Sequence, residues 1–324
     1  MMAPYAIAHM KIGLKLHETG YHFGTEERAR IYLTNALEPK VTQLPQIGFD
    51  ALAHEAAAVN EIKWYKRFTV VVGKLEVENP AALAGKLTAL RQQMLADPMF
   101  AGTQSFKPER KKTAVAFHAK DDLPEVRFRV FDLLRQCGDQ LRFYAVVCDK
   151  FNLLKRETVR RAADPTYRYQ PDSIYDGLVR SLFSKLHRLA DRYEVCVAKR
   201  GTRDRNQALQ AAMEHAERDF EQKFGFSRGG KEVWTITISN PRETVCLQAV
   251  DYFLWAIQRL YEVRRNLETG EELRDDRFIN MLWPQIGEIH DLDFGPPVGT
   301  FFTKQHPLTL EERFGGSDRK KKRP

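Results

Sequence analysis

The apolar positions of this chain alternate between two rhythms. Runs rich in Val, Ile, Phe and Tyr at 68–77, 113–119, 141–149 and 193–199, followed by Trp234-Thr-Ile-Thr-Ile238 with its period of two, predict β-strands. Between them the apolar residues recur at helical spacing. Pro80 starts a helix that runs to about Ala96, where Asp97-Pro98 stops it, and Pro124 starts another that ends near Gly138. Asp172 or Ser173 caps a third, whose Ile174, Leu178, Leu182, Leu186 and Leu189 fall on one stripe. A fourth covers about 205–224 and a long one about 243–265. Strands separated by helices of this length predict an α/β architecture around a mixed sheet.

The long helix carries the pattern of most chemical interest. From Val245 to Tyr261 it is apolar nearly all round, which predicts burial, yet it holds Gln248 and Asp251. At a spacing of three these share a face, continued by Trp255, Arg259 and Glu262, while Leu247, Val250, Leu254, Ile257 and Tyr261 form the opposing stripe. A buried carboxylate is costly unless it is paired, hydrogen-bonded or bound to a metal. Asp251 is therefore either satisfied by an Arg or a backbone donor and staples the fold, or it holds a metal ion.

Composition changes this picture little. With 324 residues and 43% hydrophobic content, the chain can form one large domain with an appendage, or two small ones. No apolar run approaches a membrane span and the first residues lack a secretory pattern, so a cytoplasmic protein is expected. Cys137, Cys148, Cys196 and Cys246 are widely spaced, with no Cys-x-x-Cys pair, and read as buried small hydrophobes. The formal charge is +8, and the last eight residues, with five positive charges and one negative, supply half of it. That tail, taken as 313–324, is expected to be disordered, and either adds salt-sensitive attraction to phosphate or is a solvated end.

Two family resemblances join in this chain. Pro4-Tyr5-Ala-Ile-Ala-His-Met-Lys-Ile-Gly, Ile31-Tyr-Leu-Thr-Asn-Ala-Leu37 and Glu55-Ala-Ala-Ala-Val-Asn-Glu-Ile-Lys63 resemble restriction-associated N6-adenine DNA methyltransferases over residues 1–73. In that family the strand resembling Phe68–Gly73 leads into an Asn-Pro-Pro-Tyr loop that holds the flipped adenine. Here the chain continues as Lys74-Leu-Glu-Val-Glu-Asn-Pro, and no Asn-Pro-Pro-Tyr occurs anywhere. No Gly-rich turn for S-adenosylmethionine is present either, so methyl transfer is excluded and the segment is expected to be a mainly helical appendage.

From about 68 to 305 the chain resembles the bacterial domain of unknown function 3800. The residues that carry the resemblance are Phe117-His-Ala-Lys120, Val146-Val-Cys-Asp-Lys150, Ala198-Lys-Arg-Gly-Thr-Arg-Asp-Arg205, Leu247-Gln-Ala-Val-Asp-Tyr252, Leu292-Asp293 and Thr300-Phe-Phe-Thr303. The resemblance implies a ribonuclease H-like domain over 74–312, a mixed sheet flanked by helices, often found near mobile elements and phage-defence genes. It further implies a metal-dependent phosphodiesterase acting on DNA or RNA with Mg2+ or Mn2+. Asp251 would be the late-helix metal ligand, Gln248 its orienting neighbour and Asp149 a second acid at a strand end. His118 would carry a proton, and Lys120, Lys150, Arg200, Arg203 and Arg205 would contact phosphates.

The family's first strand usually carries Asp-Glu-Ser-Gly, whose Asp is the central metal ligand, and this chain has none. Arg30-Ile-Tyr-Leu-Thr-Asn35 is the expected replacement, filling the vacant place in the sheet without supplying an acid. Three function classes follow: a metal-dependent phosphodiesterase impaired by the missing acid, an inactive module binding nucleic acid, protein or a second copy, and a fusion product without activity. Asp121-Asp122, Asp275-Asp276 and Asp291-Leu-Asp293 read as helix-start or solvated turn residues.

Overall fold

The computed structural model describes residues 28–35, 69–164, 166–168, 171–184, 192–199, 206–225, 234–262, 264–265, 272–295 and 297–315. Its strands are β1 (Arg28–Asn35), β2 (Thr69–Val77), β3 (Leu141–Asp149), β4 (Arg192–Ala198), β5 (Trp234–Ser239), the two-residue pair β6 (Arg264–Arg265) and β7 (Glu272–Leu273), β8 (Ile286–Asp291) and β9 (Thr300–Phe302). Its helices are α1 (Pro80–Ala96), α2 (Pro124–Gln136), α3 (Lys150–Ala163), α4 (Pro171–Phe183), α5 (Asn206–Phe224), α6 (Cys246–Tyr261), α7 (Arg277–Leu282) and α8 (Leu310–Phe314). The expected α/β architecture is present.

Seven strands form one mixed sheet in the order β5-β4-β1-β2-β3-β8-β9. β1, β4 and β5 run parallel, β2 lies antiparallel between β1 and β3, β8 is parallel to β3, and β9 is antiparallel to β8. Strand alternation sends successive side chains to opposite faces. Val71, Leu75, Phe143, Ala145 and Val147 face a core built with α1, α2, α6 and α7, whereas Val70, Val72, Tyr144, Val146 and Val195 face one built with α4 and α5. Both faces of β2 are covered, so it is buried along nearly its whole length.

Burial on both faces also encloses Lys74 and Glu76 of β2. The Lys74 ammonium lies 3.0 Å from a Glu76 carboxylate oxygen, and 4.8 and 5.3 Å from the ring centres of Tyr144 and Phe183. Spacing two places both charges on one face, where each offsets the other's desolvation. At Gly73 a Cβ would come 2.4 Å from Phe143 and 2.9 Å from Leu254, so the missing side chain lets α6 lie close on the sheet.

One expectation is met and two change. Arg30–Asn35, the expected replacement, lies in the strand Arg28–Asn35 within the sheet, flanked by β4 and β2. It fills the vacant place, and its sequence contains no acid. The boundary drawn between 73 and 74 falls inside β2. The run 113–119 is not a strand but a series of turns, in which Val115 and Ala116 amides donate to the Lys112 carbonyl and those of Asp121 and Asp122 to that of His118. The rest of 1–27 and 36–68, the basic tail beyond 315, and Arg200, Arg203 and Arg205 lie outside the described residues, as does the Lys150 side chain.

Candidate functional site

Every residue of α6 is buried except Asp251 and Trp255, which reach the surface one helical turn apart. The apolar remainder of the helix packs it across β1 and β2, and this fixes which way those two residues point. Above them lies the turn region 113–122, in which the Phe117, His118 and Ala119 amides are satisfied by side chains instead of a strand ladder. Gln248 Oε1 accepts from the Phe117 amide at 3.0 Å while its amide nitrogen donates to the Pro241 carbonyl at 2.6 Å. Asp251 Oδ2 accepts from the Ala119 amide at 2.8 Å. Asp122 completes the clamp. Its carboxylate accepts from the Thr113 hydroxyl at 2.6 Å, the His118 amide at 2.7 Å and the Tyr252 hydroxyl at 2.6 Å.

This clamp presents His118 to solvent. Its ring Nδ1 lies 3.7 Å from Asp251 Oδ2, and its side chain is 53% exposed against 25% for Asp251. Burial raises the Asp251 carboxyl above its ordinary value, an effect opposed by His118 and the Ala119 amide. Burial also raises Asp122, opposed by Thr113 and Tyr252, and pushes the Tyr252 hydroxyl well above the usual phenol range. Cations line the rim. Lys112, half exposed, lies 3.9 Å from Asp121, Lys120 is exposed, and Arg242 donates to the Lys111 carbonyl at 3.3 Å. Arg127 donates to the carbonyls of Ala119 and Asp122, and its guanidinium carbon sits 5.0 Å from the Trp255 ring centre.

Asp149 belongs to a different group of side chains. At the end of β3 its carboxylate caps α3 by accepting from the Asn152 amide at 3.2 Å, and its own amide donates to Asp293 at 2.5 Å. Asp293 also pairs with Arg156 at 3.2 Å. Beside it, Asp291 is a buried strand-end residue, not a solvated turn residue, because Tyr261 at 2.7 Å and Arg313 at 2.6 Å both donate to it. Asp275 pairs with Arg277 at 2.9 Å, in keeping with a turn role. Burial, and after it the Asp293 carboxylate, raise the Cys148 thiol to about 12, which leaves it unreactive.

The structure therefore brings together His118, Gln248 and Asp251, with Lys120 on the rim, and gives Asp149 other partners. The clamp formed by Thr113, Asp122 and Tyr252 was not anticipated from sequence, although an acid and a phenol in succession on a buried helix were a signal for it. A magnesium or manganese centre needs several charged oxygens turned to one point. Asp251 Oδ2 is engaged by Ala119 and His118, β1 carries no acid, and Asp149 is occupied at α3. Among the described residues no group of three or more His, Cys, Asp or Glu is placed to hold a metal ion, so this donor set does not fit the implied cation.

Comparison with family models, with curated proteins and with solved structures finds no match to this chain.

Proposed function

We propose that this chain is a ribonuclease H-like phosphodiesterase that acts on nucleic acid at the His118–Asp251 site. The observation that carries the reading is the placement of α6. A late helix lies across the middle of a mixed sheet flanked by helices, the arrangement that the family resemblance implies. On that helix Asp251 is one of two residues that reach the surface, and it faces an exposed imidazole within a rim of Lys112, Lys120 and Arg242. A partly buried acid with a raised pKa beside an exposed imidazole is the kind of pairing found at reactive sites. The cationic rim supplies phosphate attraction without base specificity. The phage-defence or mobile-element setting rests on the family resemblance.

A second reading, a module that binds nucleic acid without cleaving it, is favoured by one observation: the Asp251 carboxylate already staples the Ala119 amide. One experiment separates the two. Labelled single- and double-stranded RNA and DNA are incubated with the full chain and with Asp251→Asn, and binding is measured across a salt series. Cleavage lost or strongly reduced in the variant supports the phosphodiesterase. Salt-steep binding without cleavage supports the binding module, and neither binding nor cleavage overturns both.

A further inference from the structure

We infer that this site cleaves RNA without a divalent cation, using His118 as proton acceptor, Asp251 as its positioning residue and the substrate's own 2′-hydroxyl as nucleophile. The inference rests on the phosphodiesterase reading and specifies its substrate and chemistry. Three observations lead to it.

The first is the donor set. Asp122 takes three donors, Asp149 caps the start of α3, Asp251 is held at one oxygen by the Ala119 amide, and among the described residues no group of three or more His, Cys, Asp or Glu is placed to hold a metal ion. A water activated between two metals is not what these groups are arranged to produce.

The second is the imidazole. Asp251 faces Nδ1 of His118, an arrangement that orients the ring and favours the tautomer with its acceptor nitrogen at Nε2. The 3.7 Å separation is longer than a hydrogen bond, as catalytic contacts often are before substrate binds. The ring is exposed and its backbone amide is fixed by Asp122, so the loop is held while the side chain is accessible.

The third is that, among the described residues, this cluster offers no protein nucleophile. The hydroxyls of Thr113 and Tyr252 both point at Asp122 in the interior, so neither faces a substrate. A site with one proton carrier and cations, but no nucleophile of its own, suits a substrate that brings one. RNA does so at every linkage, with the high effective concentration of an adjacent group, and DNA lacks it.

His118 takes the proton of the 2′-hydroxyl as the 2′-oxygen bonds to phosphorus and the bond from phosphorus to the 5′-oxygen breaks. The departing 5′-oxygen takes a proton from water, and the proton on His118 returns to the hydroxide so formed. The products are a 2′,3′-cyclic phosphate and a 5′-hydroxyl, with no change of oxidation state. The negative charge on the phosphoryl oxygens is offset by the cations of the rim.

The test uses the full chain with an RNA and the DNA of the same sequence, in excess EDTA and separately in magnesium. RNA cleavage in EDTA, with cyclic phosphate ends and intact DNA, is the expected result. His118→Ala, purified in parallel, should lose about 100-fold or more in rate and recover part of it when imidazole is added, which a purely structural role would not allow. Asp251→Asn, which keeps an oxygen for the Ala119 amide, should lower kcat with little change in KM. Cleavage that requires magnesium, or cleavage of DNA in EDTA, overturns the inference and leaves the phosphodiesterase reading standing. Binding without cleavage under every condition overturns both. Cleavage in EDTA that is unchanged in His118→Ala overturns the role given to His118.

Discussion

Asp251 and Asp291 are two carboxylates at opposite extremes of commitment. Asp291, 1% exposed, is enclosed between the Tyr261 hydroxyl and the Arg313 guanidinium and also takes the Asp293 amide. Asp251 is held by one backbone amide, with a half-exposed imidazole 3.7 Å from its Oδ2 and the Asp121 carboxylate as a further neighbour. The first has its charge neutralised by a fixed cation and its lone pairs filled, so it is a fastening. The second is anchored at one oxygen and faces an exposed ring instead of a fixed cation. The same residue type therefore does structural work at the end of β8 and is available for chemistry on α6, and the surroundings decide which.

The contrast can be broken most severely at Arg313. Replacing it by Met leaves Asp291 buried beside the Tyr261 hydroxyl without a cation, and should cost about 3 kcal/mol of stability, read by urea unfolding. If the loss is close to zero, Asp291 is not the fastening described. Next in size is Asp122→Ala, which strands the donors of Thr113, His118 and Tyr252. About 2 to 3 kcal/mol should be lost, together with exchange protection of the 117–119 amides. A smaller effect depends on pH. Burial raises the Asp251 carboxyl in the folded state above its unfolded value, so folding favours its protonated form. Its contribution is fully present below the unfolded value, near 3.8, and is lost as pH rises through the raised folded value. Asp251→Asn should therefore gain stability relative to the parent between acidic and neutral pH, as melting temperatures of both proteins would register, and equal pH profiles would contradict this. Smallest of all is His118→Ala. With its side chain largely in solvent, the change should move stability by no more than about 0.5 kcal/mol, which separates its effect on cleavage from any effect on folding.

Much of the framework was legible in the chain because local signals and burial agree. Pro80 and Asp97-Pro98 bound α1 where expected, and β3, β4 and β5 follow their Val- and Ile-rich runs. The failures occur where distant residues decide. Ala114-Val-Ala-Phe117 has strand character, but the amides beyond it are taken by Gln248, Asp251 and Asp122, over a hundred residues away for the first two. Asp291 resembled a turn residue because its partners, Tyr261 and Arg313, lie 30 and 22 positions off. Lys74 and Glu76 fall inside the expected strand 68–77, but only the covered second face of β2 makes them a buried pair. For the candidate site, Asp251, Gln248 and His118 were picked from the buried helix and the family motifs. The role of Asp122 was missed because an acid ahead of Pro124 has a sufficient local explanation in the start of α2.

The position of β1 has a consequence for how the chain assembles. Its neighbour β2 follows after a few tens of residues, but its other neighbour arrives much later, with Arg30 opposite Glu194 and Ile31 opposite Val195. Pairings so far apart in sequence are slow to form, because a long loop must close before the contacts repay it. During synthesis β1 therefore has one bare edge until most of the protein has emerged. A shortened chain starting after residue 35 would not be a trimmed domain. It would be two separate ribbons, β5-β4 and β2-β3-β8-β9, each with a raw backbone edge open to self-association.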